Sequence, residues 1–421
     1  MSDTFRSLFS GQKGGQAGRG GQMDPVTDAA TSREVRPDAL PGALIRVLGA
    51  GGAGSNAVAR MVTGKVQGVE FIAVNTDIQA LYHNPAAKKI TIGRGTTRGL
   101  GAGANPEIGK SAAQESLEEI KAALEGTDML FITAGLGGGT GTGSAPIIAE
   151  LARSMGILTV GVVTKPFSFE GLKRRKNAEE ALENLRGKVD TLITIPNDKI
   201  LSIIDKTTPL TEAFEVVDEV LQHAIEGISS LITQHGLVNV DFADVRTIMQ
   251  DGGTTLMGIG YGTGDSRAAE AARAAIDSPL LDLSISGAKG ILFNITGGND
   301  LSMFEVDEAA RIITETAAPE ATIIFGAVID ENYTGQVKCT VIATGFDATE
   351  SSQSSSFATP AQRYLTKAVT GAPQQQMQGK TDRDTRLKDD GKMDVTMKSS
   401  ALQLDEEELE VPAFMRKPIS K

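Results

Sequence analysis

The chain has 421 residues, of which 40% are hydrophobic and 4% aromatic, and its formal net charge is −12. This length exceeds one average domain and predicts two folded domains with an aliphatic core. The acidic balance argues against non-specific nucleic-acid binding, which requires a basic face. The single Cys339 has no disulfide partner within the chain and fits a reducing, cytoplasmic setting. Because no apolar run reaches about 18 residues, we expect no direct membrane insertion.

The amino-terminal part changes from a polar extension to a strand and a glycine loop. Residues 1–42 are rich in glycine, glutamine and serine without hydrophobic periodicity, which is typical of disorder. A short predicted strand, Leu44–Leu48, precedes Gly49-Ala-Gly-Gly-Ala-Gly54 and a predicted helix, the context of the dinucleotide-binding pattern G-x-G-x-x-G. The next strand, Val69–Val74, ends in Asn75-Thr76-Asp77, which places polar groups at the ligand edge of a parallel sheet.

A second glycine loop, Gly135–Gly143, has six glycines in nine residues. It follows the apolar run Asp128–Thr133 and precedes the helical segment Ile147–Arg153. Glycine backbone N–H groups can approach an anion with no side chain in the way, and the following helix adds the positive end of its dipole. The hydroxyls of Thr140 and Thr142 can donate hydrogen bonds to the same anion. The loop therefore predicts a phosphate cradle.

Strands and helices continue to alternate along this half of the chain. A third glycine loop, Gly99–Asn105, leads into a helix predicted over Pro106–Leu124. Glu170 and Arg174 follow the end of a later strand, where either side chain could contact a ligand. The alternation predicts an α/β protein with a doubly wound parallel sheet, and glycine loops at the strand ends predict its ligand crevice.

A long helix is predicted from Thr208 to about Gln234, with apolar residues at spacings of three and four. At this length it spans about 36 Å and can connect two domains. The loop after it contains Asn239, Asp241 and Asp244. Asp241 is expected to cap the next helix, which leaves the Asp244 carboxylate without an assigned role. The β-rich segments that follow predict a second, α+β domain with a mixed sheet.

The carboxy-terminal part is a polar tract that ends in a short apolar segment. Residues 347–403 have the composition of a flexible linker, with an end-to-end distance of roughly 40 Å for a random coil. Within 404–421, apolar residues return between acidic and basic flanks. Such a segment after a tether is typical of a motif that folds on a partner protein.

Two ligand classes compete for the glycine loops. One is NAD in an NAD-dependent oxidoreductase, with Gly49, Gly51 and Gly54 at the pyrophosphate and Asp77 at the ribose. The other is a nucleoside triphosphate, because several glycine loops converging on one crevice suit a longer polyphosphate than a single loop does. The P-loop pattern G-x-x-x-x-G-K-[ST] does not occur in the sequence.

Six segments together resemble the FtsZ branch of the tubulin/FtsZ family, and the resemblance extends over residues 44–346. The loop Gly137-Gly-Gly-Thr-Gly-Thr-Gly143 is specific to that family. The six segments are Gly49–Asn56, Asn75–Asp77, Gly99–Asn105, Gly137–Gly143, Ile195–Lys199 and Asn239–Asp244.

The resemblance implies a GTPase that binds GTP and GDP and assembles head to tail into filaments of the bacterial division ring, in the cytoplasm at mid-cell. Within the implied site, Phe214 stacks on guanine and Asp218 accepts from its N–H groups. The implied nucleotide-binding residues are Gly51, Gly52, Asn56, Asn75, Gly103, Gly138, Gly139, Thr140, Gly141, Thr142, Glu170, Arg174, Asn197, Phe214 and Asp218.

The resemblance also implies how the reaction is completed. The loop with Asn239, Asp241 and Asp244 lies at the end of the subunit opposite the nucleotide and caps the GTP of the next subunit in a filament. The two aspartates position or polarise the attacking water, and Mg²⁺ comes with the nucleotide rather than from a metal site of the protein. Retention of both aspartates argues against a scaffold without hydrolysis.

The terminal segment Glu410–Lys417 resembles the FtsZ C-terminal peptide, which docks on membrane-tethering division proteins such as FtsA. The implied docking residues are Val411, Pro412, Phe414, Met415 and Arg416. The predicted boundaries are 1–42 for a disordered extension, 43–207 for a GTP-binding domain, 208–235 for the central helix, 236–346 for the second domain with the catalytic loop, 347–403 for the linker and 404–421 for the docking peptide.

Overall fold

The computed structural model describes residues 42–346, except for Lys206, 234–237, Asn239, Leu280, 282–284 and Ser286. The strands are β1 (Ile45–Ala50), β2 (Glu70–Asn75), β3 (Lys88–Thr91), β4 (Met129–Gly135), β5 (Leu158–Lys165), β6 (Thr191–Pro196), β7 (Gly253–Thr263), β8 (Gly290–Gly297), β9 (Thr322–Ile329) and β10 (Gln336–Thr344). The α-helices are α1 (Gly51–Thr63), α2 (Ile78–His83), α3 (Arg94–Thr97), α4 (Pro106–Glu115), α5 (Leu117–Leu124), α6 (Thr140–Ser154), α7 (Leu172–Arg186), α8 (Asn197–Ile200), α9 (Leu210–Thr233), α10 (Phe242–Met249), α11 (Arg267–Ile276) and α12 (Met303–Thr316).

The first six strands form the predicted doubly wound parallel sheet, in the order β3-β2-β1-β4-β5-β6. Their interior strands are apolar on both faces, as β4 shows with six of its seven residues buried. Helices α1 and α9 pack on one face, whereas α5, α6 and α7 pack on the other. Since all six strands run in one direction, their carboxyl ends meet at one edge of the sheet and their amino ends at the opposite edge.

The last four strands form the predicted mixed part of the sheet, but this part is continuous with the first. The start of β7 pairs in parallel with β6, and the rest of β7 pairs antiparallel with β10. Because β7 is eleven residues long, it pairs with both neighbours and yields one ten-stranded sheet. Helix α11 lies directly on β7, where a Cβ at Gly260 would be 2.0 Å from the Ala271 carbonyl oxygen.

Helix α9 runs between the two edges of the parallel sheet. Phe214 and Asp218, near its start, line a cavity at the carboxyl edge. Thr233, its last residue, contacts Gly68, which lies just before β2 at the amino edge, so that a Cβ at Gly68 would be 2.5 Å from the Thr233 side chain. The predicted long central helix is therefore confirmed with 24 residues, about 36 Å.

One predicted helix is divided in two. The segment expected to be helical over Pro106–Leu124 forms α4 and α5, separated at Ser116. The backbone of Ser116 leaves the helical region at φ −108°, ψ 20°, and its hydroxyl accepts a hydrogen bond from the Gly93 N–H at 3.1 Å. A contact with a distant loop thus ends a helix that its own sequence would continue. The predicted terminal tails lie almost wholly outside the described residues.

Candidate functional site

Two glycine loops meet at the carboxyl edge of the parallel sheet. Strands β1 and β4 are neighbours, and their loops lead directly into α1 and α6. The residues before these helices, Ala50 and Gly139, supply no side-chain cap, so the first N–H groups of both helices stay available to a ligand. Two helix amino termini side by side present donors and positive dipole ends to the same anion.

Glycine is required where the two loops touch, and two other glycines of these loops border open space. Gly51 has φ +73°, and a Cβ added there would lie 2.5 Å from the Gly141 nitrogen. At Gly52 and Gly138, in contrast, an added Cβ would meet no atom within 4 Å. The first glycine therefore lets the loops approach each other, whereas the other two border open space that a phosphate can enter.

The third glycine loop packs against the second. A Cβ at Gly139 would lie 2.9 Å from both the Ala102 Cβ and the Asn105 nitrogen. The hydroxyls of Thr76 and Thr140 are 2.6 Å apart and join the end of β2 to the start of α6. Three separate stretches of sequence thus pack into one surface, but no residue of the third loop, Gly99–Asn105, lines the cavity that opens from it.

A cavity of about 520 Å³ extends from this surface toward the start of α9. It brings together eleven of the predicted nucleotide-binding residues, namely Gly52, Asn56, Gly138, Gly139, Thr140, Gly141, Glu170, Arg174, Asn197, Phe214 and Asp218. Glu170 and Arg174 form an ion pair at its side. A wider groove of about 1170 Å³ continues beyond Asp218 between α1 and α9.

Asn197 supplies a buried polar atom that suits a ligand. Its side chain is 5% exposed and lines the cavity, and its Oδ1 atom accepts no hydrogen bond from the part of the chain that the structure describes. A buried carbonyl oxygen without a donor costs about 1–3 kcal/mol. A ligand N–H group at this point would remove that cost.

Phe214 and Asp218 lie one turn apart on α9 and face the cavity. The Phe214 ring is 42% exposed, and the buried Phe167 ring holds it edge-on at a centroid distance of 5.6 Å. One face of the ring is thus available for stacking on a planar base. Burial raises the pKa of the Asp218 carboxyl to about 6, so the group is still ionised at neutral pH and can accept hydrogen bonds from N–H donors.

Four predicted residues do not line the cavity, namely Gly51, Asn75, Gly103 and Thr142. The Asn75 Oδ1 accepts from the Thr76 N–H at 2.9 Å, and the Thr142 hydroxyl accepts from the Gly137 N–H at 2.9 Å. These side chains shape the loops around the cavity. Gly103 has φ +58°, a left-handed backbone conformation that favours glycine, although an added Cβ there would meet no atom within 4 Å.

Thr164 and Pro166, at the end of β5, also line the cavity and were not among the predicted residues. Thr164 is the next-to-last residue of β5 and Pro166 follows that strand. Because β5 neighbours β4, their place at the carboxyl edge of the sheet could have indicated them.

Asp77, the candidate ribose-binding acid of an NAD enzyme, caps a helix. Its Oδ1 accepts from the N–H groups of Gln79 at 2.9 Å and Ala80 at 3.1 Å, which caps α2.

The predicted catalytic aspartates lie at the other edge of the sheet. Asp241 caps α10 as predicted, since its Oδ1 accepts from the Asp244 N–H at 2.8 Å, and both side chains are exposed. Later in α10, Arg246 donates to the Gly156 carbonyl at 3.0 Å, just before β5 begins. The helix then leads into β7, whose Gly253 pairs with the first residue of β6. Asn239 lies outside the described residues.

The described residues contain neither a cluster of metal-ligating side chains nor a helix that could cross a membrane. No three histidine, cysteine, aspartate or glutamate side chains converge there as a metal site would require. None of the described helices combines the length and apolar character needed to span a bilayer. The predicted docking residues Val411, Pro412, Phe414, Met415 and Arg416 lie outside the described part of the chain.

Known protein families match this chain in both parts of the sheet. A family model described as the GTPase domain of the Tubulin/FtsZ family matches residues 44–205, and one described as the C-terminal domain of the FtsZ family matches residues 253–347. An FtsZ dimer from M. jannaschii is 50% identical, with a TM-score of 0.70, over 72% of this chain and 89% of that chain. CetZ1 of Haloferax volcanii, as a GDP-bound monomer, has 21% identity and a TM-score of 0.63 over 72% and 95% of the two chains. CetZ2 of the same organism, as a GTPγS-bound protofilament, has 21% identity and a TM-score of 0.61 over 77% and 99%.

Proposed function

The chain belongs to the tubulin/FtsZ family of GTPases, and we propose that it hydrolyses GTP within head-to-tail filaments of its own copies. The observation that carries this proposal is the separation of two half-sites. The nucleotide cavity opens at the carboxyl edge of the parallel sheet, whereas Asp241 and Asp244 are exposed near the amino edge. A subunit with both halves at opposite ends completes a site only with another copy.

The cavity supports a guanosine nucleotide rather than NAD. Glycine N–H groups of the paired helix starts hold the phosphates, the ring of Phe214 stacks on the base, and Asp218 accepts from the N1–H and N2–H groups of guanine. The unpaired Oδ1 of Asn197 supports a base with N–H donors. The Oδ1 atom of Asp77, the acid expected at the ribose of an NAD enzyme, already accepts from the N–H groups of Gln79 and Ala80 and caps α2.

GTP hydrolysis then depends on residues that a second subunit brings to the cavity. Asp241, Asp244 and Asn239 of the next subunit orient the attacking water and polarise it toward the γ-phosphorus. Mg²⁺ would bind as part of the GTP substrate and would neutralise charge that develops on the phosphate oxygens.

A contact between opposite ends of two subunits is heterologous and does not close, so it generates a filament. The FtsZ and CetZ2 structures contain a dimer and a protofilament of those proteins, which supports the same assembly here. Loss of the γ-phosphate at the contact weakens it, and the polymer turns over. We place this polymer in the cytoplasm, as the division ring at mid-cell.

The carboxy-terminal segment 409–418 connects the filament to a membrane-tethering division protein such as FtsA. Its apolar residues follow a polar linker of residues 347–403, which lets a partner bind away from the filament surface. Deletion of 409–421 is expected to leave polymerisation unchanged and to abolish partner binding. Unchanged affinity of the truncated chain for the tethering protein would refute this role.

The proposal is tested by measuring GTP hydrolysis per subunit against protein concentration in the presence of Mg²⁺. Because each active site needs two subunits, activity per subunit is expected to vanish below a threshold concentration. Sedimentation at the same concentrations would show whether the threshold coincides with assembly. Activity per subunit that is constant down to the lowest dilution would mean that a monomer holds a complete site, and the role of Asp241 and Asp244 across subunits would be wrong.

A further inference from the structure

Arg60 connects the two helices that border the nucleotide cavity. It lies on α1, one turn after Asn56, and its guanidinium reaches α9. Its nitrogens lie 3.1 Å from Glu215, 3.8 Å from Asp218 and 3.9 Å from Glu219. A single guanidinium thus faces three carboxylates on successive turns of the helix that carries the base-binding residues.

Asp218 is the member of this cluster that borders the nucleotide cavity, and its protonation state decides which base it can bind. An ionised carboxylate accepts both N1–H and N2–H of guanine. A protonated carboxyl carries a donor that opposes guanine N1–H, but it can donate to N1 of adenine, which is an acceptor. Selectivity for guanine therefore requires the ionised form, turned toward the base.

We propose that Arg60 is a positioning residue that keeps Asp218 ionised and oriented, and that it thereby sets the preference for guanine over adenine nucleotides. This inference rests on the proposed function, because it assigns the base contact to Asp218. Arg60 does not line the cavity of about 520 Å³ itself but the groove beyond it, so it acts through the aspartate rather than by touching the base.

The charges around Asp218 support this role. Burial raises the pKa of Asp218 to about 6, the Arg60 guanidinium opposes that rise, and the carboxylates of Glu215 and Glu219 add to it. Without Arg60, three acids would lie together without a cation, and the pKa of Asp218 would rise further. His83 and His223 also line the groove, and burial lowers the pKa of His223 to about 4, so that imidazole is neutral near pH 7.

The experiment measures GDP and ADP affinity by calorimetry from about pH 5.5 to 8.5, in the whole chain and in its Arg60→Gln variant. An opposite charge at this range lowers the pKa of an acid by about 1–3 pH units. In Arg60→Gln, the pH midpoint for GDP binding is therefore expected to rise by at least about one unit. GDP affinity falls about two- to ten-fold at neutral pH and recovers near pH 8.5, and the GDP-to-ADP preference narrows at neutral pH.

Three matched variants separate charge from packing. Arg60→Lys keeps the positive charge, so its pH midpoint is expected to stay close to that of the unmodified chain. Glu215→Gln removes an acid that raises the pKa of Asp218, so its midpoint is expected to move to lower pH. Asp218→Asn removes this titrating group, so the pH dependence that remains comes from other groups, among them the phosphates of GDP.

The outcomes distinguish this inference from the function on which it rests. If the unmodified chain binds no GDP at any pH, the proposed function is wrong. If it binds GDP but Arg60→Gln weakens GDP and ADP equally at every pH, Arg60 only holds α1 against α9, and the inference is overturned. Midpoints that move up in Arg60→Gln and down in Glu215→Gln support it.

Discussion

The two edges of the parallel sheet expose opposite chemistry. At the carboxyl edge, backbone N–H groups and glycines form the surface, and the two described acids that line the cavity are each paired, Glu170 with Arg174 and Asp218 with Arg60. At the amino edge, the carboxylates of Asp241 and Asp244 are exposed. Free carboxylates beside a triphosphate would repel it, so a single subunit binds GTP best when its catalytic acids are remote.

This difference gives each subunit two unlike ends that complement each other. The binding edge depends on backbone geometry, which only glycine allows, whereas the catalytic edge depends on side-chain charge. Substitutions at the carboxyl edge are therefore expected to weaken nucleotide binding, and substitutions at the amino edge to slow GTP hydrolysis. A mixture of one variant of each kind is expected to recover activity.

The largest effect is expected for Asp244→Ala. This variant loses a group that polarises water, so GTP hydrolysis per subunit falls by at least about 100-fold. GTP binding and filament formation persist, because the cavity at the other edge is intact. Hydrolysis assays with sedimentation of the same samples check both parts. Normal turnover in this variant would remove Asp244 from the mechanism.

Mixing Asp244→Ala with a variant that binds nucleotide weakly tests the difference between the two edges more sharply. Gly138→Ala keeps Asp244, and at a GTP concentration too low to fill its weakened cavity each variant alone hydrolyses little GTP. In the mixture, the nucleotide of one copy meets the aspartates of the other, and activity returns. A mixture as inactive as its components would contradict a site shared between subunits.

The next largest effect concerns the cradle. The added Cβ in Gly138→Ala enters open space, so the melting temperature is expected to stay unchanged. GTP affinity is expected to fall about 10- to 100-fold, because the Cβ displaces the phosphate from the backbone N–H groups. Gly51→Ala is the matched control, because its Cβ would collide with Gly141 at positive φ and should lower the melting temperature as well. Calorimetry and thermal unfolding separate the two, and equal melting temperatures would contradict the close approach of the loops.

A smaller effect is expected for Phe214→Ala at the base end of the cavity. Stacking on an aromatic ring contributes about 1–3 kcal/mol per base, so GDP affinity should fall about 5- to 150-fold. The rate at which GTP already bound in filaments is hydrolysed should change little. Phe214→Tyr retains the ring and serves as the control. If the alanine variant binds GDP normally, the base lies elsewhere in the cavity.

The smallest effect distinguishes the two aspartates of the catalytic edge. Asp241 caps α10, so Asp241→Ala is expected to cost about 1 kcal/mol in the free energy of unfolding, or about 2 °C in melting temperature. The Asp244 side chain accepts no hydrogen bond from the residues that the structure describes, so Asp244→Ala is expected to melt close to the unmodified chain. Equal losses of stability in the two variants would mean that the cap contributes nothing.

Local patterns were sufficient to predict much of this protein. Glycine loops between apolar strands and helices indicated the cradle, because strand and helix periodicity and the freedom of glycine are properties of neighbouring residues. The Asp241 cap and the long α9 followed for the same reason. The separate roles proposed for Asn239, Asp241 and Asp244 came from resemblance, and they stay predictions.

By itself, then, the sequence determined the elements, the glycine loops and the family. Only the tertiary structure decided which distant residues meet. It showed that β7 joins both parts into one sheet, that Ser116 ends α4 through Gly93, and that Arg60 faces the acids of α9. Such contacts join residues far apart in the chain, and they depend on how helices pack across a sheet rather than on any local propensity.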